Sequence, residues 1–569
     1  MWMVLRAQKD ALESSCIGFT IWCNSSYPIT DYEHQDPLEE YFPDSILIRY
    51  AAATSPELIW SSVTYREYAQ SLHKAAAHWK QTLRASGLVE QDVVGLWLTG
   101  EVWTDLVHLY AISRAGFVPE VFSIRYSHPG GVVVRDLLRE CNAKALVYVS
   151  RFADVVKQID FLSPSFEVID IAAMTPSPDS LGPLPTVEGE DVAIIFHTSG
   201  TTGGRPKPIP ETHRWITALT TVNWPGIWQG GYKDGPDVFN NMGSLAHIGA
   251  ALSIPKFAPF GACLVIMPRL DISVDNFLSA VRNCGLNRLS QYANWLTKLI
   301  ATARENPDVL QALQGVRQVA FTGSPLSPAD EKWALDNGIP ITVFYASTEC
   351  APCMVSTLRS GNMHFRFIPG VQCRMIPAGV DPEANGQDQD SSRPQLYEFF
   401  VPAHARNCPH VSIRNRPDGH APGDFFEEVE PGAYLFRGRR DDWIRCTEPG
   451  LIDAKDIESN VLKTCPDIVD ACVVVGNYRP HAVLMVEPHA TPTSVHGSPD
   501  ENKQLKEQIV ERIASFNDRL FPFERINCPS RIIVVSPGLL PRTAEKGNIK
   551  RKATEEIFAT LIDRVYLCA

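Results

Sequence analysis

The chain has 569 residues, too many for one compact core, so two to four domains with ample apolar material to bury are expected. A formal net charge of -13 excludes a nucleic-acid surface built by bulk attraction, while leaving room for a local basic pocket around a polyphosphate. The 14 cysteines show no repeated Cys-x-x-Cys spacing, which argues against a disulfide framework or zinc module and for reduced thiols in a cytoplasmic protein.

At the N-terminus Arg6 and Lys9 are followed by Asp10 and Glu13 without a continuous apolar stretch, so no signal peptide is expected. Thr64 to Leu83 and Val102 to Ala115 carry apolar residues at helical spacing, the second stopped by Gly116 and Pro119. They alternate with β-rich runs at Val93 to Leu98, Ala145 to Val149, Val192 to Phe196 and Val316 to Thr322, which predicts α/β layers. The apolar stretch from His247 to Met267 is broken by Pro255, Lys256 and Pro259 and reads as buried core, not a membrane span. Met174 to Pro185 and Val380 to Pro394 read as exposed connections. A charged turn after Tyr434 marks a boundary near residue 441, giving a large domain over 1–440, with a tail to about 40, and a small one over 441–569. The small domain reads as a helix over 453–462, strands at Ala471 to Val475, Ala482 to Val486 and Arg531 to Val535, and a helix from Glu501 to Leu520.

The strongest local signal is Ile194-Ile-Phe-His-Thr-Ser-Gly-Thr-Thr-Gly-Gly-Arg-Pro-Lys207. Its glycines, Gly200 and Gly203 among them, permit close backbone approach; Thr198, Ser199, Thr201 and Thr202 supply hydroxyl donors, and Lys207 supplies charge, as a phosphate-wrapping loop requires. No choice of glycine makes it a Walker A loop. Such clusters also form plain surface turns, so the ordered string, not composition, carries the reading.

That string resembles the phosphate-binding signature of the adenylate-forming superfamily, which includes acyl- and aryl-CoA ligases and nonribosomal peptide synthetase adenylation domains. Further motifs follow in the family's order. Ser113-Arg-Ala-Gly-Phe-Val-Pro119 is loosely similar to a structural element ahead of the loop. Asn241-Met-Gly-Ser-Leu-Ala-His247 resembles the segment that closes the acid pocket, and this place in the series outweighs the usual structural reading of a lone histidine for His247. Phe321-Thr-Gly-Ser-Pro-Leu326 resembles the turn beside the adenine. Val343-Phe-Tyr-Ala-Ser-Thr-Glu349 is similar to Tyr-Gly-x-Thr-Glu, which implies that Val343, Phe344 and Tyr345 line the adenine, Thr348 holds the phosphate and Glu349 binds Mg²⁺. Gly423-Asp424 and Gly438-Arg439-Arg-Asp441-Asp442 resemble the pair in which Asp424 accepts the ribose hydroxyls, Arg439 reaches the nucleotide and Asp441 is a hinge. In Leu540-Pro-Arg-Thr-Ala-Glu-Lys-Gly-Asn-Ile-Lys-Arg-Lys552 the alignment puts Asn548 where the family's catalytic lysine sits; Lys546 is the nearest substitute and Lys550 the second.

The resemblance runs from about Thr64 to Lys552 and is strongest to adenylation domains of fungal nonribosomal-peptide-synthetase-like enzymes. It implies a large multi-sheet α/β domain with a small mobile α+β C-terminal domain. It further implies ATP- and Mg²⁺-dependent activation of a carboxylic acid as acyl-AMP, then transfer to CoA or to the phosphopantetheine of a separate carrier protein. No Asp lies between Phe239 and His247 to pair with an amino-acid ammonium, which tilts the acid toward an aryl or aliphatic one. No carrier sequence follows Lys552 and no Rossmann fingerprint is left over. Two other readings stand beside the ligase: a degenerate nucleotide-binding paralogue, and an adenylation fragment of a larger synthetase or reductase.

Overall fold

The computed structural model describes residues 44–53, 58–127, 130–161, 163–177, 181–198, 206–228, 236–268, 273–323, 325–356, 363–378, 395–440, 443–445, 447, 451–489, 499–518, 520, 522–542 and 549–567. The described residues form two compact units, one ending at Thr198 and resuming over Pro206–Arg374 and Phe400–His420, the other holding Met375–Phe399 and the chain from Ala421 onward.

The first unit opens with β1 (Ile46–Ala53) and β2 (Ile59–Thr64). Thr64 then caps α1 (Tyr65–Ala85): its hydroxyl accepts from the Glu67 amide, and the Glu67 carboxylate accepts from the Thr64 amide. After β3 (Val93–Trp97) comes α2 (Trp103–Arg114), ended by Gly116 at φ 95°. The strands β4 (Val118–Val121), β5 (Ala145–Tyr148), β6 (Ser165–Glu167), β7 (Val192–Thr198) and β8 (Lys207–Thr212) complete a six-stranded sheet in the order β6-β5-β3-β4-β7-β8, parallel except for β8. β8 is an edge strand, which is where Pro208 and Pro210 are tolerated, because a proline has no amide to give a second neighbour. It leads into α3 (His213–Ala218).

A nine-stranded sheet follows, built on β9 (Val238–Asn240), β10 (Cys263–Ile266), β11 (Arg288–Tyr292), β12 (Gln318–Thr322), β13 (Ile341–Ser347), β14 (Ala351–Val355) and β15 (Arg366–Phe367), with β1 and β2 at its far edge. β1, β10, β9, β11, β12 and β13 run parallel to one another, so these six strands present their carboxyl ends on one side of the sheet. At the opposite ends Asp237 ties three segments together: Arg288 Nε lies 3.1 Å away, Arg317 Nη1 2.6 Å, and the Trp228 indole donates at 2.6 Å. One core cluster takes side chains from both sheets and the intervening helices, including Trp79, Phe196, Phe239, Leu264 and Phe344. The stretch from His247 to Met267 lies mostly in that core, as its apolar composition predicts, and no helix of the described residues is long and apolar enough to cross a membrane.

In the second unit β17 (Leu396–Pro402), β19 (Asp424–Glu430) and β20 (Ala433–Arg439) pair antiparallel, with β16 (Arg374–Pro377) at the edge beside β17, while β18 (Gly419–His420) pairs with the end of β17 inside the first unit. Beyond the hairpin of β21 (Trp443–Arg445) and β22 (Leu451–Asp453) come α4 (Ala454–Thr464), β23 (Val469–Val475), β24 (Val483–Pro488), α5 (Pro499–Arg512), β25 (Ile532–Val534) and α6 (Arg551–Ile557). The expected helix to Leu520 breaks after Arg512 and resumes only as one turn, Ala514–Asn517. Asn517 then folds the chain back, its side chain bonding both the amide and the carbonyl of Ile526 at 3.0 Å.

Lys256 is the anomaly of the first core. It is 5 % exposed, its ammonium lies 4.6 Å from the Trp224 ring centre and 2.5 Å from the Gly249 carbonyl, and burial brings its pKa down to about 7. The unfolded chain holds this proton up to the ordinary lysine value, so unfolding takes up a proton between about pH 7 and 10.5 and stability rises with pH across that window. Denaturation of wild type should show this rise, up to about 1.4 kcal/mol per pH unit. Lys256→Met should flatten it.

Candidate functional site

β7 and β8 pair with Thr198 opposite Lys207, which sets the two ends of the glycine-rich loop side by side at the mouth of a hairpin. Thr198 is half-buried and Lys207 exposed. Ser199, Gly200, Thr201, Thr202 and Gly203 lie outside the described residues.

Immediately before the loop is a pair that the sequence reading missed. His197 Nε2 lies 3.0 Å from Glu120 Oε1 and its Nδ1 3.0 Å from the Val121 carbonyl, with the ring stacked on Phe122 at 5.2 Å and 13°. The two side chains are 2 % and 0 % exposed. Both imidazole nitrogens face oxygen, so either the ring carries two protons or Glu120 carries one; a neutral ring beside a carboxylate would leave a lone pair against an acceptor. The signal in the sequence was the histidine itself, placed just before the first hydroxyl of the loop; its partner lies 77 residues back on β4.

The second cluster stands at the carboxyl ends of β9, β11, β12 and β13, where open parallel sheets collect their ligands. Asn241 fixes the segment after β9, accepting from the Met267 amide at 2.9 Å and donating to the Gly243 carbonyl at 2.8 Å. The segment also rests on Gly100, whose carbonyl accepts from the Leu245 amide at 2.8 Å. A Cβ there would sit 2.2 Å from Ser244 Oγ, and φ is +72°. His247 is exposed and stands at the N-terminal end of the turn Ile248–Ala251. β12 ends in Gly323 at φ 96°, and the Thr322 hydroxyl donates to the Phe344 carbonyl at 2.8 Å, locking the Phe321 motif to the Val343 motif on the next strand.

Val343 and Phe344 are core side chains, 6 % and 4 % exposed, whereas Tyr345, Ala346, Thr348 and Glu349 are half-buried. β13 then reverses into β14 through Thr348, Glu349 and Cys350, with Ala351 at φ 61°. The Trp215 indole of α3 donates to the Glu349 carbonyl at 3.0 Å, which joins the helix behind the glycine-rich hairpin to this turn. Glu211 on β8 is fully buried, neither of its oxygens has a hydrogen-bond partner among the described residues, and burial followed by the neighbouring Glu349 pushes its carboxyl well above the usual carboxylate range. His420 also feels Glu349 electrostatically: burial lowers its pKa and the Glu349 carboxylate opposes that shift.

In the second unit Asp424 is 7 % exposed and sits opposite Arg439 across β19 and β20, with Arg439 Nε 3.5 Å from Asp424 Oδ1 and Nη2 donating to the Pro422 carbonyl at 2.7 Å. Gly423, at φ 84°, turns the chain into this position. Asp441 and Asp442 lie outside the described residues. So does Lys546, but both ends of its loop are fixed: Arg542 bridges Ile549, the Lys550 amide donates to the Pro541 carbonyl at 2.8 Å, and Arg542 Nη2 lies 2.5 Å from buried Glu487. Lys550 itself occupies the N-cap of α6.

The His197 pair generates a stability test. His197→Phe preserves the stack on Phe122 but leaves the buried Glu120 carboxyl without its partner, at a cost of about 3–5 kcal/mol in chemical denaturation. Glu120→Gln in the same background should recover much of the loss where the pair is ionic and little where Glu120 carries the proton.

Residues 42–380 match the model of the AMP-binding enzyme family, and residues 441–569 that of the AMP-binding enzyme C-terminal domain. The AMP-binding domain-containing enzyme iboA of Amanita muscaria is 30 % identical over 86 % of this chain and 94 % of its own length. The adenylate-forming reductase Nps11 of Serpula lacrymans is 23 % identical over 89 % of this chain, which spans 46 % of that longer protein. Among solved structures, O-succinylbenzoate coenzyme A synthetase from Bacillus subtilis, in complex with ATP and magnesium ion, superposes with a TM-score of 0.65 at 17 % identity, covering 91 % of this chain and 98 % of its own. With two family models covering most of its length, this chain belongs to the AMP-binding, adenylate-forming enzyme family.

Proposed function

We propose that the protein activates a carboxylic acid with ATP, forming acyl-AMP and releasing pyrophosphate, and then passes the acyl group to a thiol, either CoA or the phosphopantetheine of a separate carrier protein. The observation that carries this reading is the link from Trp215 to Glu349, which joins the helix after β8 to the Thr348-Glu349 turn in the unit that also holds strands β7 and β8, the two strands flanking the glycine-rich segment. Nucleotide phosphates need donors and charge from the first and an acidic group for a cation from the second.

In this scheme the acid's carboxylate oxygen bonds to the α-phosphorus as the bond to the pyrophosphate breaks, and the thiol later attacks the acyl carbon as AMP leaves. Thr198 to Lys207 grip the phosphates, Thr348 holds the α-phosphate, and His247 closes the acid pocket. Tyr345 presents its ring to the adenine, while Val343 and Phe344, being core side chains, contribute backbone. Asp424 accepts the ribose hydroxyls and Arg439, its neighbour at 3.5 Å, reaches the nucleotide. Mg²⁺ fits the donor set: Glu349 is a half-buried hard-oxygen ligand within electrostatic reach of the Glu211 carboxyl, which has no hydrogen-bond partner among the described residues, and a divalent cation there would offset phosphate charge. Lys546, in the segment between the bridged residues Arg542 and Ile549, neutralises charge as pyrophosphate departs. The small domain, 441–569, is proposed to act in two orientations about Asp441.

A pyrophosphate-exchange screen of benzoic, cinnamic, fatty and amino acids tests the activity, and acid-dependent exchange with at least one class is the expected result. With the responding acid, Glu349→Gln and Lys207→Ala should both reduce exchange, by roughly 10²-fold for a lost phosphate contact. Raised Mg²⁺ should partly restore only Glu349→Gln; equal rescue of both would contradict the assignments.

The lysine register has its own test. Lys546→Ala should suppress acyl-AMP formation yet leave thiol transfer from chemically supplied acyl-AMP largely intact, whereas Lys550→Ala, at a position whose backbone caps α6, should leave the first step standing. The reverse pattern would move the catalytic role to Lys550. Loss in neither variant would favour the degenerate paralogue.

A further inference from the structure

The turn that returns from Glu349 brings together thiols that the proposed reaction does not use. Cys350 and Cys353 are fully buried, Cys373 is half-buried, and all three are free. The single Cys-x-x-Cys spacing, Cys350 to Cys353, draws the eye, but the close sulfur pair is another one. Cys373 Sγ lies 3.6 Å from Cys353 Sγ, donating toward it, while the Cys353 thiol donates to the Cys350 carbonyl at 3.2 Å. One amide addresses both sulfurs: Asn407 Nδ2 is 3.3 Å from Cys353 and 3.5 Å from Cys373, and it is held in place by the Cys350 carbonyl at 2.9 Å. Beside them is a cavity of about 240 Å³ lined by Asn223, Gln372, Arg406 and Asn407, Gln372 being the residue next to Cys373. That volume admits a small oxidant, since one water takes up about 30 Å³.

We propose that Cys353 and Cys373 form a dithiol site that a hydroperoxide closes to a disulfide. Their separations fit that chemistry and their environments divide the labour. Burial pushes the Cys353 thiol well above its ordinary value and hides it, so attack on the oxidant falls to half-buried Cys373. The Cys373 sulfur takes the distal peroxide oxygen as the O–O bond breaks, the thiol proton leaving with the alcohol or water, and becomes a sulfenic acid. The Cys353 sulfur then bonds to the Cys373 sulfur, the S–O bond breaks, and the hydroxyl leaves as water with the Cys353 proton. Two electrons pass from the two sulfurs to the peroxide. Closing 3.6 Å to the roughly 2.0 Å of an S–S bond asks for side-chain rotation, with Asn407 donating to either sulfur as negative charge develops. The bond would tether the segment entering β16 to β14, the strand that follows Glu349.

The test uses the whole reduced protein, given one equivalent of hydrogen peroxide, alkylated, digested and analysed by mass spectrometry. The expected result is a peptide pair joined through Cys353 and Cys373, with two free thiols lost and regained on treatment with dithiothreitol. Cys353→Ser should trap Cys373 as a sulfenic acid that dimedone labels. Should that buried substitution not fold, Cys373→Ser at the half-buried position should leave Cys353 reduced under the same dose. Cys373 left unmodified, Cys373 carried to sulfinic acid without a cross-link, or a Cys350–Cys353 bond in its place would each overturn the proposal. These readouts are independent of adenylation, so they stand or fall apart from the proposed activity.

Discussion

The hydrogen bond from the Trp215 indole to the Glu349 carbonyl is the constraint on which the first unit's site depends. The residues it joins are 134 positions apart, Trp215 on the helix that follows edge strand β8 of one sheet and Glu349 in the turn that follows β13 of the other. Neither element alone could hold the proposed phosphate-binding segment and Glu349, the proposed cation ligand, in fixed register. Trp215 is 1 % exposed in the shared core, so the donor is rigid before any ligand arrives, and preorganisation of this kind is what makes an electrostatic site effective.

That rigidity is accompanied by buried polar groups that cost stability. Glu211 stands fully buried within electrostatic reach of Glu349, and the His197–Glu120 pair is buried at the end of β7, just ahead of the glycine-rich segment in sequence. A fold selected only for stability would replace each with an apolar side chain. Their concentration around one loop and one turn is the pattern expected where ligand binding, not packing, decides the residue.

Much of the fold was legible because local chemistry and tertiary demand agree. Thr64 and Glu67 spell a capping box and α1 begins there; the β-rich runs from Val93, Ala145, Val192 and Val316 each hold a strand, the last from Gln318. The long helix expected through Leu520 was misread because its break depends on Asn517 bonding Ile526, a tertiary contact that helical periodicity cannot encode. The motifs named the candidate site in chain order, yet not its electrostatics. Glu120 carries no local mark of function, and Glu211 reads as an ordinary polar residue on an edge strand until the core closes over it. The thiol pair was hidden for the same reason: Cys353 and Cys373 are 20 residues apart, and only the return of β14 brings their sulfurs to 3.6 Å.

In the proposed reaction a carboxylate oxygen bonds to the α-phosphorus of ATP, and oxygen isotopes report that bond directly. A responsive acid labelled with ¹⁸O in its carboxylate is supplied with ATP, Mg²⁺ and a thiol acceptor, and the AMP produced is analysed by mass spectrometry. AMP carrying one ¹⁸O, with pyrophosphate unlabelled, is the expected result. Unlabelled AMP, or ADP and phosphate as the products, would contradict it.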